Sequence, residues 1–396
     1  MIAPARRAAF EVVRRVFEQE AYADRAFATA ARDLDDRDRA LAQRVAYGTV
    51  QRVRTIDHGI DQLGRRPVPK LDPPVRAALR ISAYQLAWSD APAHAVADDA
   101  VELVRSAGLE RATAFTNAVV RRLARGFRGL VASLPEGPLK HSYPDWVYDV
   151  WIRDWGSEEA LELMRAQNEP PELVVRAARP VGEPTDVPGA YVVDRVDTGE
   201  VAAGRIWPQS RASQLAALVV GSRDGERVLD ACAAPGAKTT MLRGEVTAVE
   251  LHEGRARELE ENVRRAAATN VRVVHADVRE LDDAGFDRAI VDAPCSGLGV
   301  LARRPDLRWR ARPLPELQLE LVRAAADRTR PGGTIVYSVC TLNADENEAV
   351  VDAAGLTVDP LGEEWPRYSH PKRPEFLLTK PHRDRTSGFF ISRMRT

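Results

Sequence analysis

Cysteine is scarce in this chain: Cys232, Cys295 and Cys340 are the only three in 396 residues. Their odd number and wide spacing give no C-x-x-C pair and no paired framework, which excludes a disulfide scaffold or a zinc knuckle and suits reduced thiols. Lysine is nearly missing as well. Only Lys70, Lys140, Lys238, Lys372 and Lys380 stand among 57 basic residues, so a lysine inside a motif is worth notice. Long apolar runs are absent: the opening MIAPARRAAFEVV has no core of signal-peptide length, and no window approaches eighteen uninterrupted apolar residues. This predicts a soluble, cytoplasmic protein without membrane association. Charge of one sign is lacking too, with a formal net charge of −1, so the overall balance does not mark a nucleic-acid binder. Basic surface is local, as in residues 367–396, where eight Lys/Arg face two acids. None of the seven His sits at ligand spacing from a carboxylate or Cys, and H-E-x-x-H and G-x-S-x-G do not occur. Metallohydrolase and serine hydrolase chemistry are excluded, and no metal is expected.

What is present predicts two or three globular domains, since 44% of the residues are hydrophobic and 29% charged. Residues 4–127 read almost throughout as helix. Phe10, Val13 and Phe17 recur at helical spacing, and Asp72-Pro73 marks a helix start whose stripe continues through Val75, Leu79 and Leu86. An all-helical domain over 1–132 is expected, closed by the Pro/Gly-rich linker SLPEGPLKHSYPDW (133–146). A small α+β segment over 142–207 follows, with strands at 172–178 and 190–196. From 208 to 396, RVLDAC (227–232), EVTAVEL (245–251), VRVVHAD (271–277), FDRAIVDA (286–293) and GTIVYSV (333–339) alternate with helical runs. That pattern predicts an α/β fold with a doubly wound parallel sheet, to which 376–380 and 388–394 add an antiparallel edge.

Chemistry concentrates at the ends of these strands. VLDACAAPGAKTT (228–240) runs from a strand into a turn of small residues, Ala233, Ala234, Pro235, Gly236 and Ala237, and then toward a helix. Such a turn lets backbone approach a nucleotide-like ligand at a helix N-terminus. It is neither a P-loop nor a G-x-G-x-x-G fingerprint. Glu250 lies twenty residues after Asp230, where a ribose-binding acid is expected, and Asp277 closes the third strand. Each acid alone reads as a solvated strand end; three on successive strands converge on one crevice. The fourth strand ends in DAPCSGLG (292–299) and the fifth in YSVCTLNADENE (337–348), placing two thiols at neighbouring strand ends with Asp292 beside one of them. That arrangement suits covalent catalysis. Cys232 reads as a small buried hydrophobe.

These motifs, in this order, resemble those of the NOL1/NOP2/Sun family of RNA 5-methylcytosine methyltransferases. The likeness covers residues 142–396, including Ser142, Pro144 and Trp146, Pro170-Pro171, Gln209, Ser213-Gln214 and Gly388-Phe389-Phe390. AFTNAVVRRL (114–123) and the helices before it resemble a NusB-like RNA-binding domain. The resemblance implies a Rossmann-like class I methyltransferase sheet, S-adenosylmethionine as cofactor, and RNA, foremost 16S ribosomal RNA, as partner of a monomer. It implies Cys340 as nucleophile, Cys295 in product release, Asp292 on the cytosine edge and Lys238 near thiol and cofactor, where its charge could favour a thiolate. Ala233 to Lys238, Glu250, Arg255, Asp277 and Asp292 would hold the cofactor. For RNA contact, LARRPDLRWRAR (301–312) offers Arg303, Arg304 and Arg308 for phosphates and Trp309 for stacking, with Arg121 and Arg122 of the helical domain adding charge. The sequence departs from the family pattern at Ala237, where a second Gly is usual, at Val339, at Ser210-Arg211, and after Arg176, where the usual Asn-Thr is missing. Transfer RNA as substrate, a DNA-type mechanism with Cys295 as nucleophile, an amino methyltransferase, and a non-catalytic assembly factor are the alternatives. Neither of the other two methyltransferase readings explains Cys340 before Glu346-Asn347-Glu348.

Overall fold

A computed structural model describes residues 2–396, which divide into two units: 2–168 with Leu301–Arg310, and Glu169–Val300 with Ala311–Thr396. The first is helical: α1 (Pro4–Glu18), α2 (Ala23–Ala30), α3 (Asp36–Gln51), α4 (Val53–Gly64), α5 (Pro73–Trp88), α6 (Ala93–Ser106), α7 (Thr113–Ser133), α8 (Pro138–His141), α9 (Asp145–Trp155) and α10 (Ser157–Ala166). Proline at N1 starts α1, whose buried Ala5, Ala8, Ala9, Val12, Val13 and Val16 form one stripe. Asp35 caps α3 by accepting the Asp38 N–H at 2.8 Å, whereas Asp72 before α5 occupies the cap position without a side-chain bond. Two glycines set helix approach: a Cβ on Gly48 would overlap the Tyr84 ring, and one on Gly59 the Phe127 ring.

The expected linker is packed structure. Residues 138–141 form α8, Ser142 and Tyr143 are fully buried, and the Ser142 hydroxyl accepts the Arg54 N–H at 3.0 Å. The units therefore part at Asn168 and Glu169, so the 142–207 segment is divided: its helices join the first unit and its strands the second.

The second unit begins with a four-stranded antiparallel sheet in the order β2 (Glu183–Pro184), β3 (Ala190–Val192), β1 (Val174–Ala177), β4 (Ile206–Pro208). The main sheet follows the order β10 (Thr357–Val358), β12 (Phe389–Arg395), β9 (Thr329–Val339), β8 (Phe286–Asp292), β5 (Arg227–Asp230), β6 (Glu245–Glu250), β7 (Val271–His275), with β11 (Leu377–Thr379) also on β12. Strands β5 to β9 pair in parallel and β12 runs antiparallel to β9, as the alternation predicts. Val228, Leu229, Ile290, Ile335 and Val336 are fully buried, which explains why these strands read as continuous apolar runs. One expectation fails: no α-helix follows the 228–240 motif, only a 3-10 turn over Thr239–Met241. β6 begins at Glu245, and the intervening residues are taken up by an irregular turn with Gly236 and Gly244 at positive φ. That turn, not a helix N-terminus, presents the backbone.

Candidate active site

Five parallel strands deliver their chemistry to one edge. Asp230, Glu250 and Asp292 are the last residues of β5, β6 and β8, Asp277 lies two beyond β7, and Cys340 directly follows β9. Crevices of doubly wound sheets form at these carboxyl ends. A cavity of about 340 Å³ lined by Arg227, Thr247, Asn270 and Asp283 lies at the amino ends of β5–β7, on the opposite side, and takes no part.

The first cluster is built on the β5 turn. Asp230 is buried, its Oδ2 accepts the Thr239 hydroxyl at 2.7 Å, and its Oδ1 has no partner. Burial pushes its carboxyl up to about 7. Gly236, at φ +103°, holds a backbone conformation that a side chain would strain, and a Cβ there would press on the Leu259 methyl at 2.9 Å. Asn262 donates to the Pro235 carbonyl at 2.7 Å and Arg255 to the Ala234 carbonyl at 2.9 Å, so neighbouring side chains fix the turn from outside. Glu250 is buried, accepts the His252 N–H at 2.9 Å and lies 3.6 Å from Arg255. Asp277 caps its own turn and pairs with Arg279, which holds its carboxyl below the usual range. Ala237 keeps its carbonyl in use, accepting Arg176 at 2.7 Å, while the second arm of Arg176 reaches Thr240 at 2.8 Å. Burial lowers the Arg176 guanidinium to about 10.

The second cluster joins β8 and β9. Asp292 receives Lys238 Nζ at 2.6 Å on Oδ2 and the Ser338 hydroxyl at 2.9 Å on Oδ1. Lys238 also lies 5.2 Å from the Phe389 ring centroid. The rare lysine thus ties the β5 turn to the β8 carboxylate, and its charge is engaged by Asp292. Beyond it, Cys295 Sγ and Cys340 Sγ approach to 3.4 Å. The hydrogen bond to Cys340 comes first among the causes that hold the Cys295 thiol well above its ordinary range, followed by burial. Burial likewise pushes Cys232 far up, in keeping with an inert thiol. The Cys295 turn is locked by backbone: Gly299 donates to the Cys340 carbonyl at 2.9 Å and Gly388 to the Gly299 carbonyl at 2.8 Å. All four residues expected to carry the chemistry therefore come together.

The expected RNA contacts do not. Arg308 is fully buried in the helical unit, where its Nη2 donates to the Gln167 carbonyl at 2.8 Å and its Nη1 to the Gln51 and Ser142 carbonyls at 3.2 and 3.3 Å. Its guanidinium carbon stands 3.9 Å from the Tyr143 ring centroid. Trp309 packs on the helical core and donates Nε1–H to the Val50 carbonyl at 2.7 Å. Both are structural, because helix-end and loop carbonyls need these donors. Arg122 donates to the Gly64 carbonyl at the end of α4 at 3.1 Å. Arg304 lies 3.6 Å from Asp24 and 5.4 Å from the Tyr22 ring centroid, Arg303 is half-buried, and Arg121 is exposed on α7. Sequence reading passed over Ser338 and Asn262, and it marked the buried Glu346 only as part of Glu346-Asn347-Glu348 after Cys340.

A doubly wound parallel sheet with acids and a small-residue turn at its strand ends has the fold of a methyltransferase domain. Comparison with known proteins specifies it. Residues 217–395 match the 16S rRNA methyltransferase RsmB/F family and residues 3–125 the NusB family. Ribosomal RNA small subunit methyltransferase B of Thermus thermophilus is 37% identical over 80% of this chain and 78% of its own. A Synechocystis protein named probable ribosomal RNA small subunit methyltransferase B is 30% identical over 99% of both chains. The crystal structure of PH0851 shares the fold with a TM-score of 0.84 at 22% identity, covering 100% of this chain and 99% of that one. The chain belongs to the ribosomal RNA small subunit methyltransferase B family, S-adenosylmethionine-dependent enzymes in which a NusB domain precedes the methyltransferase domain. The chemistry at the β5 turn is compatible with that cofactor: a buried Asp230 oxygen without a partner and the buried Glu250 at the end of β6 stand at the same sheet edge. Among the described residues no group of three or more His, Cys, Asp or Glu could hold a metal ion, and no helix is long and apolar enough to cross a membrane.

Proposed function

We propose that this chain methylates carbon 5 of a cytosine in 16S ribosomal RNA through a covalent bond between Cys340 and the base, in the cytoplasm and as a monomer. The observation that carries the reading is the 3.4 Å approach of two thiols beside the Asp292–Lys238 pair. Carbon 5 of cytosine is a weak nucleophile. Addition of the Cys340 thiolate to carbon 6 pushes the ring electrons toward carbon 5, which becomes enamine-like. S-adenosylmethionine, when bound, supplies an electrophilic methyl group to that carbon. Ala233 to Lys238, Glu250, Arg255, Asp277 and Asp292 are the residues that would hold it. Asp292 also hydrogen-bonds the base edge around N3 and N4, where a proton shared with N3 offsets the negative charge that addition creates, and Lys238 keeps its carboxyl group oriented. Loss of the carbon 5 proton to a base then expels the Cys340 sulfur from carbon 6 and restores the ring double bond. Cys295, a protonated thiol beside that sulfur, acts in this release. Reaction at the ring faces needs an unstacked cytosine. Arg121, Arg303 and Arg304 with the basic C-terminal residues contact phosphates, a role that carries little sequence information.

The test is labelled methyl transfer to unmodified 16S rRNA and to transfer RNA by wild type, Cys340→Ala and Cys295→Ala. Transfer to 16S rRNA should vanish in Cys340→Ala, and Cys295→Ala should accumulate a protein–RNA adduct. Transfer to transfer RNA alone would move the substrate; activity surviving in Cys340→Ala would overturn the mechanism.

A further inference from the structure

Two turns carry the thiols, and both end on Glu346. This residue is fully buried, and its Oε1 accepts the Ser296 N–H at 2.9 Å, the Gln318 amide at 3.0 Å and the Leu314 N–H at 3.2 Å. Its Oε2 accepts the Asn343 amide at 3.3 Å and the Ser296 hydroxyl, with Thr341 Oγ1 at 3.4 Å. Ser296 and Thr341, whose oxygens are 2.7 Å apart, are the residues that directly follow Cys295 and Cys340. Gln318 adds a bond to the Pro294 carbonyl at 2.9 Å, holding the other side of Cys295. Four of the donors are N–H groups, which match a carboxylate and would oppose an amide NH2 in its place.

We propose that Glu346 is a positioning residue for the two-thiol site: its buried carboxylate clamps both cysteine turns and fixes which sulfur keeps the proton. The inference rests on the two-thiol reading above. Three groups face Cys295: the Cys340 sulfur, the Glu346 carboxylate and the Tyr337 ring, whose hydroxyl donates to the Glu346 carbonyl at 2.6 Å. A fixed negative charge on the Ser296 side disfavours a second one on Cys295. Cys295 thereby remains the hydrogen-bond donor and Cys340 the acceptor, which is the nucleophile's role. The clamp acts through Ser296 and Thr341, without touching the base.

Iodoacetamide alkylation of the full-length protein, followed peptide by peptide across pH, reads this ordering without any RNA. Wild type should alkylate Cys340 faster than Cys295 by about tenfold. Glu346→Gln should bring the two rates to within about threefold of each other, by lowering the pH at which Cys295 begins to react. A purely structural role would lower the melting temperature and leave the ratio in place. Should Glu346→Gln fail to fold, Ser296→Ala, which removes one tie but keeps the charge, should shrink the ratio by about half, measured the same way. An unchanged ratio in whichever variant folds overturns the proposal. Methyl transfer by the same wild-type preparation is scored separately, so its failure counts against the two-thiol reading, and the alkylation ratio against the clamp.

Discussion

Asp230 is the residue at which burial and charge pull in opposite directions. Its carboxyl sits at about 7 instead of 3.8, so the folded protein binds a proton that the unfolded chain has released between these values. Stability is therefore greatest below the unfolded value and falls as pH rises from about 4 to about 7. Asp230→Asn keeps the shape and removes the ionisation. Its melting temperature should match wild type near pH 4 and exceed it by several degrees near pH 8 in a fluorescence melt, with cofactor-dependent stabilisation lost. Parallel curves for the two proteins would refute the assignment. The same carboxylate was legible in sequence as a strand-end acid, because motif spacing alone places it. Its unpartnered oxygen was not, since that depends on what Thr239 does nine residues later. Glu346 was visible only as one acid of Asp345-Glu346-Asn347-Glu348; its donors come from residues 296, 314 and 318, which no local pattern joins.

At the scale of elements, the junction between the Cys295 turn and β12 depends on two glycines meeting. A Cβ on Gly299 would overlap the Gly388 carbonyl, and backbone cannot yield as a side-chain tip can. Gly299→Ala should separate the turn from the strand and cost about 2 kcal/mol or more, read as an earlier urea midpoint together with a lower yield of Cys295–Cys340 cross-link by a short bis-thiol reagent. A wild-type cross-linking yield would show that the turn is held by other means. The parallel strands were legible to within a few residues because burial on both faces leaves an unbroken apolar run, as in Ala289, Ile290 and Val291. The helix expected after Gly236 was not formed, because the chain reaches β6 too soon. The linker was misread for a related reason: Pro and Gly at 135–138 signal a turn equally well inside a packed unit, where α8 is wedged and Tyr143 is sealed.

On the scale of the whole molecule, residues 301–310 belong to the helical unit although both flanking stretches belong to the other. Arginine-rich sequence there suggested a nucleic-acid surface, since nothing in a one-dimensional pattern tells a guanidinium facing phosphate from one facing carbonyls. Arg308→Leu would strand the carbonyls of Gln51, Ser142 and Gln167 at roughly 1 kcal/mol or more each. The helical unit should then unfold at about 3 kcal/mol lower stability in a denaturant titration, while the sheet unit's transition stays in place. A single undisturbed transition would mean that water replaces the lost donors. Because the Arg308 bonds close the helical unit, that unit cannot be finished when its own 168 residues leave the ribosome. It waits for the chain to grow to residue 310, by which time β5 to β8 exist and β9, the strand that leads into Cys340, does not. Birth order therefore runs helices, half a sheet, the tie at 301–310, and only then a complete pair of thiols, so a chain that stops between residues 310 and 339 carries Cys295 without Cys340.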